Sequence, residues 1–169
     1  MQKITIIIIL AILPVIGNCN PVLNDLRASV FELNFDSRKA DLIYKKLKSI
    51  ENKSALQIAY QGATAAHLAK ICNNPLRKFW YVHHAIELMD SAISKKPSNL
   101  EIRFMRFALQ VQLPDLLNSK FKIAKDRNYL TANYQSYEWT NLEYPIRSYI
   151  LDFLADQQVI PSDFSLRVK

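Results

Sequence analysis

The stretch His83-His84-Ala85-Ile86-Glu87 places three metal-capable side chains within five residues. On a helix, residues three and four apart sit above one another, so His83 with Glu87, or His84 with Glu87, has the spacing to share one ligand. A structural zinc asks for four protein ligands and a catalytic zinc for three. The remaining histidine, His67, falls in a different segment, and the Glu-x-x-His order of carboxylate di-iron bundles is reversed here. A helical wheel separates the readings. With Val82 at zero, His83 falls at about 100°, Glu87 at about 140° and His84 at about 200°. Val82, Ala85, Ile86, Met89, Ala92 and Ile93 occupy the arc from about 240° through zero to about 40°. All three metal-capable residues lie outside that arc, beside Asp90, Ser91 and Ser94. The expectation is a solvated His–Glu pair and no metal site. The alternative is an envelope metal-binding protein or enzyme working from the His83/His84/Glu87 face.

Other chemistry is sparse. Nucleophilic catalysis needs a Ser, Cys or Thr held against an oriented base. Cys72 and His67 offer such a pairing, but five residues apart on a helix they project about 140° from each other. Glu32 with Asp36 and Asp152 with Asp156 are four-apart carboxylate pairs that read as solvated faces. Arg103 and Arg106 share a polar strip with Gln110. Their planar forks suit an acidic ligand; they suit equally well a carboxylate such as Glu101 or one on a neighbouring helix. The aromatic residues of 79–84, with Tyr134, Tyr137, Trp139, Tyr144 and Tyr149, have the composition of a binding groove and also of an all-α core, and core is the preferred reading. The basic run 119–127 has Lys120, Lys122 and Lys125 pointing in different directions, which disfavours a membrane-surface helix. Catalytic, cofactor-binding and metal-binding residues are therefore all expected to be none.

The elements that must position these side chains are helices. Of the two glycines, Gly17 falls in the N-terminal apolar segment, leaving Gly62 alone in the rest of the chain. Phosphate-cradling loops and β-hairpins both lean on glycine. Prolines beside Asn, Ser or Asp punctuate the chain instead: Asn20-Pro21, Asn74-Pro75, Pro97-Ser98 and Pro114-Asp115. The pattern predicts an all-α fold of six or seven helices in antiparallel pairs, over 21–33, 37–52, 54–72, 75–96, 98–112, 115–133 and 140–157. The end, residues 162–169, shows no periodicity. In 54–72, Ala59, Gly62, Ala66 and Ala69 form a small-residue seam that lets a neighbouring helix approach closely. In 98–112, Leu100, Phe104, Phe107 and Val111 lie on one flank and Ile102, Met105 and Leu109 on the other, so this helix belongs at the centre. Burial on both flanks predicts a loss of about 2–5 kcal/mol for Phe107→Ala and for Leu109→Ala. Arg106→Ala, on the polar strip, is expected to cost under ~1 kcal/mol.

Ala85, Ala92, Pro97 and Asn99, with Met89 between the two alanines, stand as they would in the second helix of a tetratricopeptide repeat. The likeness covers residues 54–112 and implies a stack of helical hairpins that binds a protein or peptide partner. Gly62 sits farther ahead of Pro97 than in that family, and no second unit follows at the family's period of about 34 residues. The chain therefore resembles a tetratricopeptide-like helical domain, not a regular array. It is also similar to exported bacterial proteins of comparable length without assigned activity, a likeness that brings no site residues.

The N-terminus bears on compartment. Lys3 precedes an uncharged apolar stretch from Ile4 to Ile16, followed by small residues around Gly17 and Cys19. That order reads as a signal peptide over 1–19, since a membrane-spanning helix needs about 20 residues. The mature domain is then 20–169. Signal peptidase cleavage after Gly17 or Cys19 and lipidation of Cys19 in "IGNC" both stay open, as does a Cys19–Cys72 disulfide. Loss of Lys3 lowers the net charge from +7 to +6. Such a charge suits solubility or weak contact with an anionic membrane surface, and export argues against nucleic acid as partner. The sequence thus reads as an exported, non-enzymatic helical scaffold or protein-interaction module of the bacterial envelope, in the periplasm or outside the cell. Neither the partner nor the oligomeric state is specified.

Overall fold

Five polar side chains set where helices begin. Asp36, Ser54, Asn74, Asn99 and Ser119 each accept a hydrogen bond from a backbone N–H two or three residues ahead, satisfying donors that a first turn leaves unpaired. At Ser54 the device is reciprocal, because the Gln57 side chain accepts from the Ser54 N–H. The computed structural model describes residues 21–32 and 36–164. Its α-helices are α1 (Pro21–Phe31), α2 (Ser37–Lys48), α3 (Ala55–Ile71), α4 (Pro75–Lys95), α5 (Leu100–Gln112), α6 (Lys120–Asn133) and α7 (Tyr144–Asp156). Short 3-10 turns occupy Tyr134–Ser136 and Trp139–Asn141, and no strand occurs among the described residues. The fold is all-α. The expected signal segment 1–19, the fate of Cys19 and the Cys19–Cys72 disulfide lie outside the described residues. None of the helices described is long and apolar enough to cross a membrane.

Helices α3 and α4 form the tightest pair. Lys95 Nζ donates to the Lys53 carbonyl at one end, while Gly62 meets Ala85, Leu88 and Met89 midway, so the two run antiparallel. A Cβ placed on Gly62 would lie 3.2 Å from the Leu88 Cβ and 3.3 Å from the Ala85 carbonyl oxygen. At Gly62 the close approach expected of the small-residue seam is present, whereas Ala66 and Ala69 border an open recess. Ala59, Ala85, Met89 and Ala92 are buried along the seam, and Asn99 caps α5 just beyond Pro97. Helices α5 and α6 make the second antiparallel pair, tied by Ser119 N–H to Gln110 Oε1 at one end and Tyr129 Oη to the Ser98 carbonyl at the other. Helix α7 then closes the larger core. Leu151 and Leu154 join Phe104, Phe107 and Leu130, with the Phe153 ring edge-on to both phenylalanines.

Several sequence-based boundaries are corrected. Helix α6 starts at Lys120 and not at 115, because residues 114–118 form a separate turn. In it Leu117 and Asn118 donate to the Pro114 carbonyl, and the Asn118 side chain donates to Leu113 O and Asp115 Oδ1. Helix α2 stops at Lys48, and Asn52 adopts φ of 50°, a left-handed conformation that ends any helix. Helix α7 begins at Tyr144, with Pro145 in its first turn. It ends with Gln158 at φ 54° and Val159 N–H reaching back to the Leu154 carbonyl, the geometry that glycine usually serves. Phe164, in the stretch read as aperiodic, packs edge-on against Tyr134.

The aromatic segment 79–84 is also corrected. Phe79 and Trp80 are 57% and 51% exposed, so they are not core. The wheel that places the histidines off the apolar arc places these two off it as well. Trp139 is buried, and its indole N–H donates to the Tyr134 carbonyl, whereas Tyr144 and Tyr149 are exposed.

Candidate functional site, an apolar groove between four helices

His83 and His84 turn Nδ1 towards the two oxygens of Glu87 at 3.4 and 3.5 Å, and both His83 and Glu87 are well exposed. The His84 ring stacks on Trp80 with centroids 4.9 Å apart. Among the described residues no three His, Cys, Asp or Glu side chains are grouped to hold a metal. His83→Gln is expected to leave stability within ~0.5 kcal/mol, as surface changes usually do. His84→Gln gives up the indole stack and should cost up to about 1 kcal/mol. Thermal melts of both variants, with metal analysis of purified protein, check this; stoichiometric zinc or iron lost on substitution would reverse it.

The other candidates disperse. Cys72 caps the end of α3, with its Sγ 3.6 Å from the Asn74 carbonyl oxygen. Glu32 pairs with Lys39, Asp36 caps α2, and Asp152 accepts from Ser148. Lys122, from the basic run, is bonded to Asp90 on α4.

The polar strip of α5 is not a wet strip. Arg103, Arg106 and Gln110 are all buried. Arg106 grips Asp126 of α6 through Nε and Nη2 at 2.7 and 2.8 Å and reaches Asp90 of α4 at 2.9 Å. Arg103 donates to the same Asp126 at 2.8 Å and lies over the Tyr129 ring. Burial works against the Arg106 charge, but Asp126 and then Asp90 outweigh it and raise its pKa. Both carboxylates come from neighbouring helices, so the arginine forks are already filled by the protein. Glu101 is not their partner.

Glu101 belongs to a second buried cluster. Arg27 of α1 donates to both its oxygens, at 2.8 and 2.6 Å, and the Tyr60 hydroxyl of α3 donates to Oε1. Burial, then the adjacent carboxylate, pushes the Tyr60 hydroxyl well above its ordinary range, which keeps it a donor. The hydrogen bonds to Glu101 likewise raise the Arg27 pKa. This cluster forms one wall of a groove of about 870 Å³ bounded by α1, α3, α5 and α7, with α4 at its edge. Ala63 and Ala66 of α3, Met105, Ala108 and Leu109 of α5, and Ile146 and Ile150 of α7 supply a mostly apolar lining. Phe31 and Tyr149 meet edge-on across the rim with centroids 5.6 Å apart, linking α1 to α7. Lys70 and Lys78 stand at the end where α3 gives way to α4.

Volume and lining suit a small-molecule site, which is typically some 300–1,000 Å³, mainly apolar, with a few placed polar groups. Sequence reasoning missed Arg27, Tyr60, Glu101, Lys70 and Lys78, because the groove is assembled from five helices. One signal was available: Glu101 is a lone carboxylate on a helix that is otherwise apolar on two sides. Compared with protein-family models, curated proteins and solved structures, the chain matches none of them.

Proposed function

We propose that this chain is an exported, non-enzymatic helical binding module whose working surface is the groove between α1, α3, α5 and α7. The carrying observation is the groove itself: about 870 Å³ of mostly apolar lining left open between the helices. Apolar residues are normally buried against one another, and an apolar recess of this size is what an apolar guest would cover. The arginine pairs that could have taken an anionic substrate are filled by Asp126, Asp90 and Glu101. That supports binding over catalysis. The tetratricopeptide likeness of residues 54–112 adds a precedent for guests held between helices.

Two measurements test the reading. Nile red, a neutral apolar dye, should bind with a fluorescence increase, and Ala66→Trp, which fills the groove, should abolish that increase while circular dichroism stays unchanged. Gln112→Trp, at the exposed rim, serves if Ala66→Trp fails to fold. Dye binding unaffected by either variant would remove the groove from consideration. Export is tested by intact mass: the protein recovered outside the cytoplasm should lack about the first 17–19 residues. A mature chain still starting at Met1 would overturn export; an added lipid mass on Cys19 would choose lipidation over simple cleavage.

A further inference from the structure

We propose that the guest is a single-chain anionic amphiphile, its acyl chain lying along α3 and α5 and its headgroup held between Lys70 and Lys78. This rests on the groove being the binding surface, and it adds the chemistry of what fills it. The first support is the distribution of charge along the groove. At one end Glu101 is answered by Arg27 and Tyr60, both of which donate to its carboxylate. In the middle, Ala63, Ala66, Met105, Ala108 and Leu109 carry no polar side-chain atom that could bond a guest. At the other end two cations stand on adjoining turns, Lys70 in the last turn of α3 and Lys78 in the first turn of α4. Among the described residues of the lining, Glu101 is the one carboxylate, and it stands at the end away from the lysines. His67 lies beside them, and burial, then Lys70, holds its pKa below the usual value. The imidazole is therefore neutral at pH 7, and the cationic end consists of the two lysines.

The second support is what the lining cannot do. A peptide brings one N–H and one C=O per residue, and each needs a partner once water is excluded. Along its middle Ala63, Ala66, Met105, Ala108 and Leu109 supply none, and the backbone groups of α3 and α5 are engaged within their helices, leaving His67, Gln112 and Tyr149 far too few for a peptide. An acyl chain brings no such groups. The third support is length. From Tyr60 to Lys70 the helix advances ten residues, or about 15 Å at ~1.5 Å per residue. That is a run for one medium-length chain, with the anionic group arriving where the lysines stand.

Calorimetry with three twelve-carbon probes in monomeric form tests this: laurate, dodecanol and dodecyltrimethylammonium. Laurate should bind one to one and at least about tenfold more tightly than dodecanol, with the cationic probe weakest. Lys70→Ala/Lys78→Ala should weaken laurate by about tenfold or more and leave dodecanol unchanged. Equal binding of laurate and dodecanol, indifferent to the lysines, would overturn the anionic headgroup while the groove stands. Absence of all three in a protein that still binds Nile red, with loss in Ala66→Trp, would overturn the amphiphile and point to a peptide. Failure of Nile red as well would sink the groove reading and this proposal together. A dimer in sedimentation that laurate does not dissociate, and that hides the groove, would assign it to a second copy and overturn the proposal.

Discussion

Asp126→Ala should destabilise the domain by about 3–5 kcal/mol, the loss expected when one partner of a buried ion pair is removed. Asp126 is 0% exposed and serves two arginines at once, so its removal strands two guanidinium groups in the interface between α5 and α6. Arg106→Ala should cost a comparable amount, since it leaves Asp126 with Arg103 alone and cuts the link to Asp90. This replaces the expectation of under ~1 kcal/mol that followed from reading the strip as solvated. Replacing all three residues by apolar ones of similar volume, Arg103→Met/Arg106→Met/Asp126→Leu, should be milder than Asp126→Ala. Taking two arginines and a carboxylate out of water is itself unfavourable, and well-packed apolar residues avoid that cost. Urea melts of the variants check the order, with the slopes compared to confirm that unfolding stays two-state. An Asp126→Ala midpoint within about 1 kcal/mol of the parent would show that the cluster is hydrated in solution.

Phe107→Ala should cost about 3–5 kcal/mol, and Leu109→Ala no more than about 2 kcal/mol. Phe107 is fully buried among Leu130, Leu151 and Leu154, with Phe153 on its edge and Arg127 over its face at 5.3 Å. Its truncation leaves a cavity that surrounding helices cannot close. Leu109 is only half-buried and borders the groove, so truncation there widens a space that already exists. Equal costs for the two substitutions would mean the groove is closed in solution. The same urea melts measure both, and the asymmetry is the informative quantity.

What could be read from the chain in advance follows a physical division. Features made within one helix were legible: the helix start at Asn74-Pro75, the apolar arc of Ala85, Met89 and Ala92, and the small residue at Gly62, while α5 starts at Leu100 behind its Asn99 cap and not at 98. Each depends on neighbours a few residues away. Features made between helices were not. Arg106 looks like a surface residue on its own wheel, because the carboxylate that buries it lies 20 residues later on α6. Arg27 and Glu101 are 74 residues apart and share no local pattern. The groove is harder still, since a recess is defined by where five helices fail to meet. The false start of α6 at 115 has another cause. Pro114-Asp115 carries a good helix-start signal, but Asn118 and Ser119 capture the backbone groups that a helix would need.

Helix α1 starts at Pro21, and its Arg27 is fastened to Glu101 in the body of the domain. In the sequence Asn20 alone separates Pro21 from Cys19. One residue of chain reaches at most about 3.6 Å. If Cys19 carries a lipid, the tether has almost no slack. The domain would then ride flush against the bilayer instead of ranging away from it on a leash. Its angle to the surface would be set by α1, the same helix that forms one wall of the groove.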